Sequence, residues 1–282
     1  MEPVSGLGRV KLTQRSGWLL AGLSLLGVLA LAWPFLITVS ASSSQAHRLD
    51  APIELMVLVP LLLILCASEM ARGSFDARGI AVLGILAACG TALRIPSPGV
   101  AGFEPVFFLL VLAGRVYGPS FGFALGGLTL FVSALFTGGV GPWLPFQMLA
   151  AGWVGACAGL LPAAASPRGE RWLLAGYTAV ACLLYGTVMN LWFWPFGAGT
   201  TTSISYVPGG SFGTNLTHFF IFDVTTSLGF DIPRAVINAV LILAVGGPVL
   251  VALRRGARRM SLVSAELEQP TAIVQAPERG PR

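Results

Sequence analysis

Apolar residues in this chain do not alternate with polar ones at strand or surface-helix spacing. They run together in long blocks, separated by short segments holding Pro, Gly, Ser and Arg. A helix that is apolar all round has no face for water, and a block of about 20 such residues matches the hydrocarbon thickness of a bilayer. The pattern predicts eight transmembrane helices, at about 17–39, 52–70, 79–94, 103–115, 118–137, 145–164, 172–195 and 231–253. The fourth block is short for a bilayer, so it is expected either to run on into its loops or to lie within protein. The fold class is an all-α polytopic membrane protein.

Charge sets the orientation. With both termini cytoplasmic, fourteen of the 17 lysines and arginines fall on inner segments, and three (Arg48, Arg94 and Arg234) on outer ones. This positive-inside asymmetry predicts a multi-pass protein of the cell (plasma) membrane with cytoplasmic N- and C-termini. The net charge of +5 is thus a topology signal, with no folded basic surface left for nucleic acid. The first block has a basic start, but its apolar stretch exceeds the core of a cleaved signal, so it is read as a retained span. Three regions follow: an N-terminal extension with two helices (1–78), a six-helix membrane core (79–255), and a tail (256–282) without a helical stripe, expected to be disordered in the cytoplasm.

Composition then excludes chemistry. A single lysine, Lys11, lies outside any GxxxxGK[ST] loop, so ATP is not bound in that way. Work on a solute needs a partner, an ion gradient, or is not done. Cys66, Cys89, Cys157 and Cys182 sit in apolar blocks without CxxC spacing, and His47 and His218 are far apart, so neither a metal site nor a cofactor is expected. Ionisable residues are almost absent between the predicted helix ends, which weighs against a proton-coupled carrier or a membrane-embedded hydrolase. A non-transporting scaffold is a further alternative, one that predicts no ligand-sized cavity.

Polar and aromatic residues collect at the outer ends instead. Arg94 ends the third span and leads through a Pro-rich loop to Glu104; Trp143 and Gln147 flank the next outer turn; Asn190, Trp192 and Trp194 close the seventh span. The outer segment 197–230 is too long for a plain connector and reads as a binding loop or lid. Asp231 is placed as the N-cap of the last helix, with Pro233 in its first turn. Asp231, Arg234 and Asn238, at i, i+3 and i+7, share one face. Arg94, Trp143, Gln147, Asn190, Trp194, Asp231, Arg234 and Asn238 are therefore the candidate contacts for a small organic molecule. Each has a plainer alternative: interfacial belt tryptophans, a surface ion pair of Asp231 with Arg234, Arg94 paired with Glu104, and interhelical bonds from Asn190 and Asn238.

Rows of small residues run along three helices: Gly84, Ala88 and Ala92; Gly118, Gly122 and Gly126; and Gly152, Gly155, Ala156 and Gly159. Such rows let backbones approach closely, either inside one bundle or against another membrane subunit.

Together these segments resemble the S components, the substrate-binding membrane subunits of energy-coupling-factor (ECF) vitamin transporters. The likeness runs through Gly84-xxx-Ala88-xxx-Ala92 into Leu93-Arg94-Ile95-Pro96, Ala113-Gly114-Arg115-Val116-Tyr117-Gly118-Pro119, the stretch Gly141 to Met148, and Thr226 through Asn238. It implies a six-helix core that binds a vitamin or related micronutrient near its outer face. The partners it implies are a transmembrane coupling subunit, docked on the Gly84/Ala88/Ala92 stripe, and two cytoplasmic ATPases. The outer loops 95–102, 138–146 and 197–230 would supply ligand contacts, and the protein would topple in the membrane to release its cargo. Spans 17–39 and 52–70 have no counterpart in that pattern and either contact a partner or shield the stripe.

Overall fold

The computed structural model describes residues 14–36, 77–96, 100–197 and 203–268, and every regular element among them is helical. In chain order these are α1 (Gln14–Leu36), α2 (Ala77–Arg94), a 3-10 turn (Val100–Gly102), α3 (Val106–Tyr117), α4 (Pro119–Thr137), α5 (Leu144–Leu160), α6 (Pro167–Gly197) and α7 (Phe212–Glu268). The span predicted at 52–70 lies outside the described residues. Ala77–Arg94, Pro119–Thr137, Pro167–Pro195 and Phe212–Arg259 are long and apolar enough to cross a membrane, with shorter apolar helices in α1, α3 and α5. The protein is a multi-pass membrane protein.

The shortest helix sits in the middle. With 12 residues, α3 rises only about 18 Å, too little for a bilayer. All of its residues but Phe108 are buried, and α2, α4, α5, α6 and α7 all pack on it. The short fourth block is thus a helix enclosed by protein, the second of its two expected placements. Gly118 joins α3 directly to α4. Its φ of 97° suits glycine, its N–H closes onto Gly114 O at 2.9 Å, and Pro119 opens α4.

Two of the three small-residue rows are internal. A Cβ on Gly114 or Gly122 would strike the carbonyl of Gly155, and one on Gly126 the carbonyl of Ala151, so α3, α4 and α5 meet backbone to backbone. The third row behaves differently: Ala88 and Ala92 are exposed, and nothing lies within 4 Å of a Cβ at Gly84.

The long helices α6 and α7 depart most from expectation. Segment 197–230 is helical from Phe212 onward, and only 203–211 of its other described residues are turn or irregular. Ser211 Oγ accepts the N–H of Thr214 at 3.2 Å and starts α7 at Phe212, and Asn215, Phe219 and Phe222 then bury at helical spacing. Asp231 is therefore not an N-cap but an interior residue. Pro233 is accommodated inside α7, at the cost of one backbone bond to the carbonyl of Gly229. At the other end α7 runs on to Glu268, so 256–268, expected to be structureless, is helical. Its run of Ala, Arg, Met, Leu and Glu favours helix over coil once a span precedes it.

Two clasps fasten this frame. At the end holding most arginines, Glu170 accepts from Arg115 at 2.9 Å and from Arg254 at 2.7 Å, while Arg115 also donates to the carbonyls of Leu161 and Pro162. At the opposite end α1 leans on α5, α6 and α7: Trp153 Nε1 donates to Ser24 Oγ at 2.8 Å, and Phe35 stacks on Trp194 with ring centres 5.9 Å apart. In this position α1 leaves the Gly84/Ala88/Ala92 row uncovered.

Gly155→Val should force α3, α4 and α5 apart and lower stability by at least 1–3 kcal/mol, the usual cost of overpacking. Gly84→Val should leave it within about 0.5 kcal/mol of the native value. Thermal unfolding of the two detergent-purified variants checks the contrast.

Candidate functional site

Glu104 is the sole acidic residue between Gly79 and Gly169, and it is 2% exposed. An isolated carboxylate so placed would carry a heavy desolvation cost, so its partners decide whether it can be charged. It has two. Arg94, at the end of α2, donates Nε to Oε1 at 2.9 Å; Arg234, from the middle of α7, donates Nε to Oε2 at 3.1 Å. The arginines are themselves shared. Arg94 Nη1 reaches Ser133 Oγ of α4 at 3.0 Å, and Arg234 Nη1 reaches Asp231 Oδ1 at 2.6 Å.

Backbone geometry delivers these side chains. The 3-10 turn before α3 bends sharply, with Ala101 at φ 49° and Gly102 at φ 76°. A side chain at Gly102 would collide with the carbonyl of Phe230, so this turn is pressed directly onto α7. On α6, a Cβ at Gly186 would overlap the Asp231 carboxylate; the missing side chain gives that carboxylate its place. Asn238 locks the arrangement from beneath. Its Nδ2 donates to the carbonyls of Glu104 and Arg234, at 2.9 and 2.8 Å, and its Oδ1 accepts Phe108 N–H at 2.8 Å.

Beside this cluster lies a cavity of about 280 Å³. Its walls are Arg94 and Glu104; Gln147 of α5; Tyr185, Gly186, Met189 and Asn190 of α6; and Ser227, Phe230, Asp231 and Arg234 of α7. The Tyr185 ring stands edge to face with Phe107 at 4.7 Å and lies under the Arg234 guanidinium at 5.3 Å. Asn190 Nδ2 donates to Asp223 Oδ1 at 2.6 Å and also to Ser227 Oγ, while Thr187 donates to Asp223 Oδ2 at 3.0 Å.

Of the eight residues singled out from sequence, Arg94, Gln147, Asn190, Asp231 and Arg234 come together on this cavity. The other three stand apart from it. Trp143 spends its indole N–H on the carbonyl of Gly139 and packs edge-on to Trp192 at 6.0 Å. Trp194, fully buried, donates to Ile204 O and joins Phe35, Tyr206 and Phe219 in an aromatic cluster. Asn238 has committed both ends of its amide to backbone. The surface ion pair considered for Asp231 and Arg234 is a buried one, with both residues below 9% exposure.

Neither the loop 138–146 nor the described residues of 95–102 contribute to the wall, and the wall residues from the described part of 197–230, Ser227 and Phe230, are helical. Glu104, Tyr185, Gly186, Met189, Ser227 and Phe230 were not foreseen as wall residues. Glu104 had a signal, its isolation among apolar residues. Tyr185 had none, because a tyrosine in an apolar block reads as core.

Arrangement limits chemistry. Both oxygens of Glu104 and one of Asp231 are held by arginines, and among the described residues no group of three His, Cys, Asp or Glu side chains could hold a metal ion. What the arrangement offers is a set of aimed hydrogen-bonding groups around a cavity.

Glu104→Gln removes the charge shared by two buried arginines and should lower unfolding stability by about 3–5 kcal/mol. Arg94→Gln with Glu104 intact should cost less, since Arg234 still pairs the carboxylate. Thermal or denaturant unfolding of both variants tests the ranking.

The family model described as "ECF transporter, substrate-specific component" matches residues 78–246, from the start of α2 to the lower half of α7. No curated protein and no solved structure matches the chain. The match takes in the buried ion cluster, the whole cavity wall and more than half the chain, so this protein belongs to the ECF transporter substrate-specific components, the membrane subunits that bind the transported molecule.

Proposed function

We propose that this subunit captures a small polar micronutrient, a vitamin or precursor, in the cavity between the Arg94–Glu104 segment, α5, α6 and α7. One observation carries this reading: a cavity of about 280 Å³ whose wall holds polar groups with no partner among the described residues. Tyr185 Oη is buried and makes no hydrogen bond, and the Gln147 amide has no partner among the described residues. Unspent polar groups on a cavity wall cost free energy unless a ligand or water meets them. A molecule the size of a corrinoid does not fit this volume, which favours a compact heterocycle.

The cavity opens toward the extracellular side, at the end opposite the Arg115–Glu170–Arg254 clasp. The basic residues beyond that clasp support this orientation, with both termini cytoplasmic. Cargo is delivered through a transmembrane coupling subunit driven by two ATPases on separate chains. The exposed Gly84/Ala88/Ala92 row supports a docking place for the coupling subunit, since small residues let a partner helix approach without clash. The α1 helix, seated on the other flank, leaves that approach clear.

Gln147→Ala should weaken binding of the co-purifying small molecule about fivefold, the worth of one hydrogen bond, with unfolding temperature unchanged. Asn238→Ala should do the reverse, lowering the unfolding temperature because it strands Phe108 N–H and two carbonyls. Titration calorimetry and thermal unfolding separate the two; unaltered affinity in Gln147→Ala sinks the site assignment. Ala88→Trp should abolish co-purification with the coupling subunit and ATP-driven uptake into vesicles, while the isolated subunit binds its molecule normally.

A further inference from the structure

Five polar residues of α7 share one face, which meets α6 in its upper part and the Glu104 segment and α3 lower down. Asp223, Ser227, Asp231, Arg234 and Asn238 are spaced at 0, 4, 8, 11 and 15 residues along the helix. From α6, Thr187 and Asn190 meet the upper part of that line and Gly186 the middle. The lower carboxylates of the site are paired with guanidinium groups: Glu104 with Arg94 and Arg234, and Asp231 with Arg234.

Asp223 is not. Its two oxygens are held by the Thr187 hydroxyl at 3.0 Å and the Asn190 amide at 2.6 Å, both neutral, and no guanidinium pairs with it among the described residues. With Glu104 and Arg94 added to this line, the site sets three carboxylates against two arginines among the described residues. Among the described residues, the remaining elements around the cavity add uncharged groups: Ser133 of α4, Gln147 of α5, and Tyr185 of α6.

The hydrogen-bonding groups left open carry the same bias. Asp231 Oδ2 and Asn190 Oδ1 have no donor from the described residues, and both are acceptors on the cavity wall. An independent feature points to an occupant: Tyr185, 4% exposed, forms part of the wall, and its hydroxyl is buried without a partner. A carboxylate excess in a low-dielectric site attracts a cation far more strongly than the same charge would in water.

We propose that the cargo carries one positive charge, as a protonated amine, an amidinium or a quaternary ring nitrogen on a small heterocyclic frame. That charge lies against Asp231 Oδ2 and Asn190 Oδ1, where Asp223 supplies the uncompensated negative charge one residue behind the wall. The frame rests between Tyr185 and Phe230, with Gln147 and the Tyr185 hydroxyl meeting its polar edge. This assignment rests on the capture reading above and narrows it to a ligand class.

The test uses the purified full-length subunit and three probes: thiamine as a cation, pyridoxine as a neutral heterocycle and biotin as an anion. Binding is followed by thermal shift and calorimetry, and native mass spectrometry identifies any co-purified molecule. The expected result is a cationic co-purified molecule, or binding of thiamine with neither pyridoxine nor biotin bound. Asp223→Asn should weaken the cation about tenfold, and Asp223→Glu should restore most of the affinity.

A neutral or anionic bound molecule, or equal binding to wild type and Asp223→Asn, overturns the charge assignment and leaves the capture reading intact. No bound mass and no response to any probe overturns the capture reading itself. The charge preference of the wild-type protein decides the matter even if Asp223→Asn does not fold.

Discussion

One carboxylate holds this site together. Glu104 takes an N–H from Arg94 and another from Arg234, while its backbone carbonyl takes a third bond from Asn238. Those contacts tie the end of α2, the turn before α3 and the middle of α7 into one unit, and Ser133 adds α4 through Arg94. A buried ion cluster contributes little net stability over apolar packing of equal volume, because desolvation offsets most of the attraction. What it does contribute is position. An arginine that leaves Glu104 strands a charge inside the bundle, so the helices have one arrangement in which all these groups are satisfied, and that arrangement creates the cavity.

Backbone packing makes the cluster possible. The helices α3, α4 and α5 meet through glycine and alanine at backbone distance, which leaves α3 buried and its N-terminal end fixed beneath Glu104. Where hydrophobic burial offers little drive, such close approach is the main source of helix association in a bilayer. The same residue types on α2 point outward. The residue types are the same in the two cases, and only the bundle decides which row is filled and which lies exposed among the described residues.

That distinction shows what the sequence could and could not convey. Spans were legible because lipid demands all-round apolar blocks, and α2 to α6 fall close to their predicted bounds. The start of α7 was not, because Ser, Thr, Asn and Gly between 203 and 217 carry a loop composition. Only the seating of Asn215 on Val207, and of Phe219 and Phe222 in the cluster around Trp194, reveals a helix. The premise of an uncharged core also fails. Arg94, Glu104, Asp231 and Arg234 were each visible as residues near predicted helix ends, but their mutual burial depends on α7 beginning at Phe212 rather than Asp231. With the helix lengthened, Asp231 and Arg234 move from a terminus to its interior, and the ion cluster follows.

A binding subunit in a membrane must be stable both empty and loaded, and the charge layout bears on both states. The arginines and the carboxylates of Glu104 and Asp231 satisfy one another without a ligand, so the empty bundle strands no guanidinium. On the proposed reading, the groups left for the cargo are Tyr185, Gln147, Asp231 Oδ2 and Asn190 Oδ1, with the Asp223 carboxylate behind them, cushioned by Thr187 and Asn190. Binding thus adds interactions without breaking the ion cluster, and release need not repair it. In a chain without a GxxxxGK[ST] loop, the proposed reading has energy spent on a partner chain empty the site, and a moderate, separable grip on the cargo lets it do so without unfolding the bundle.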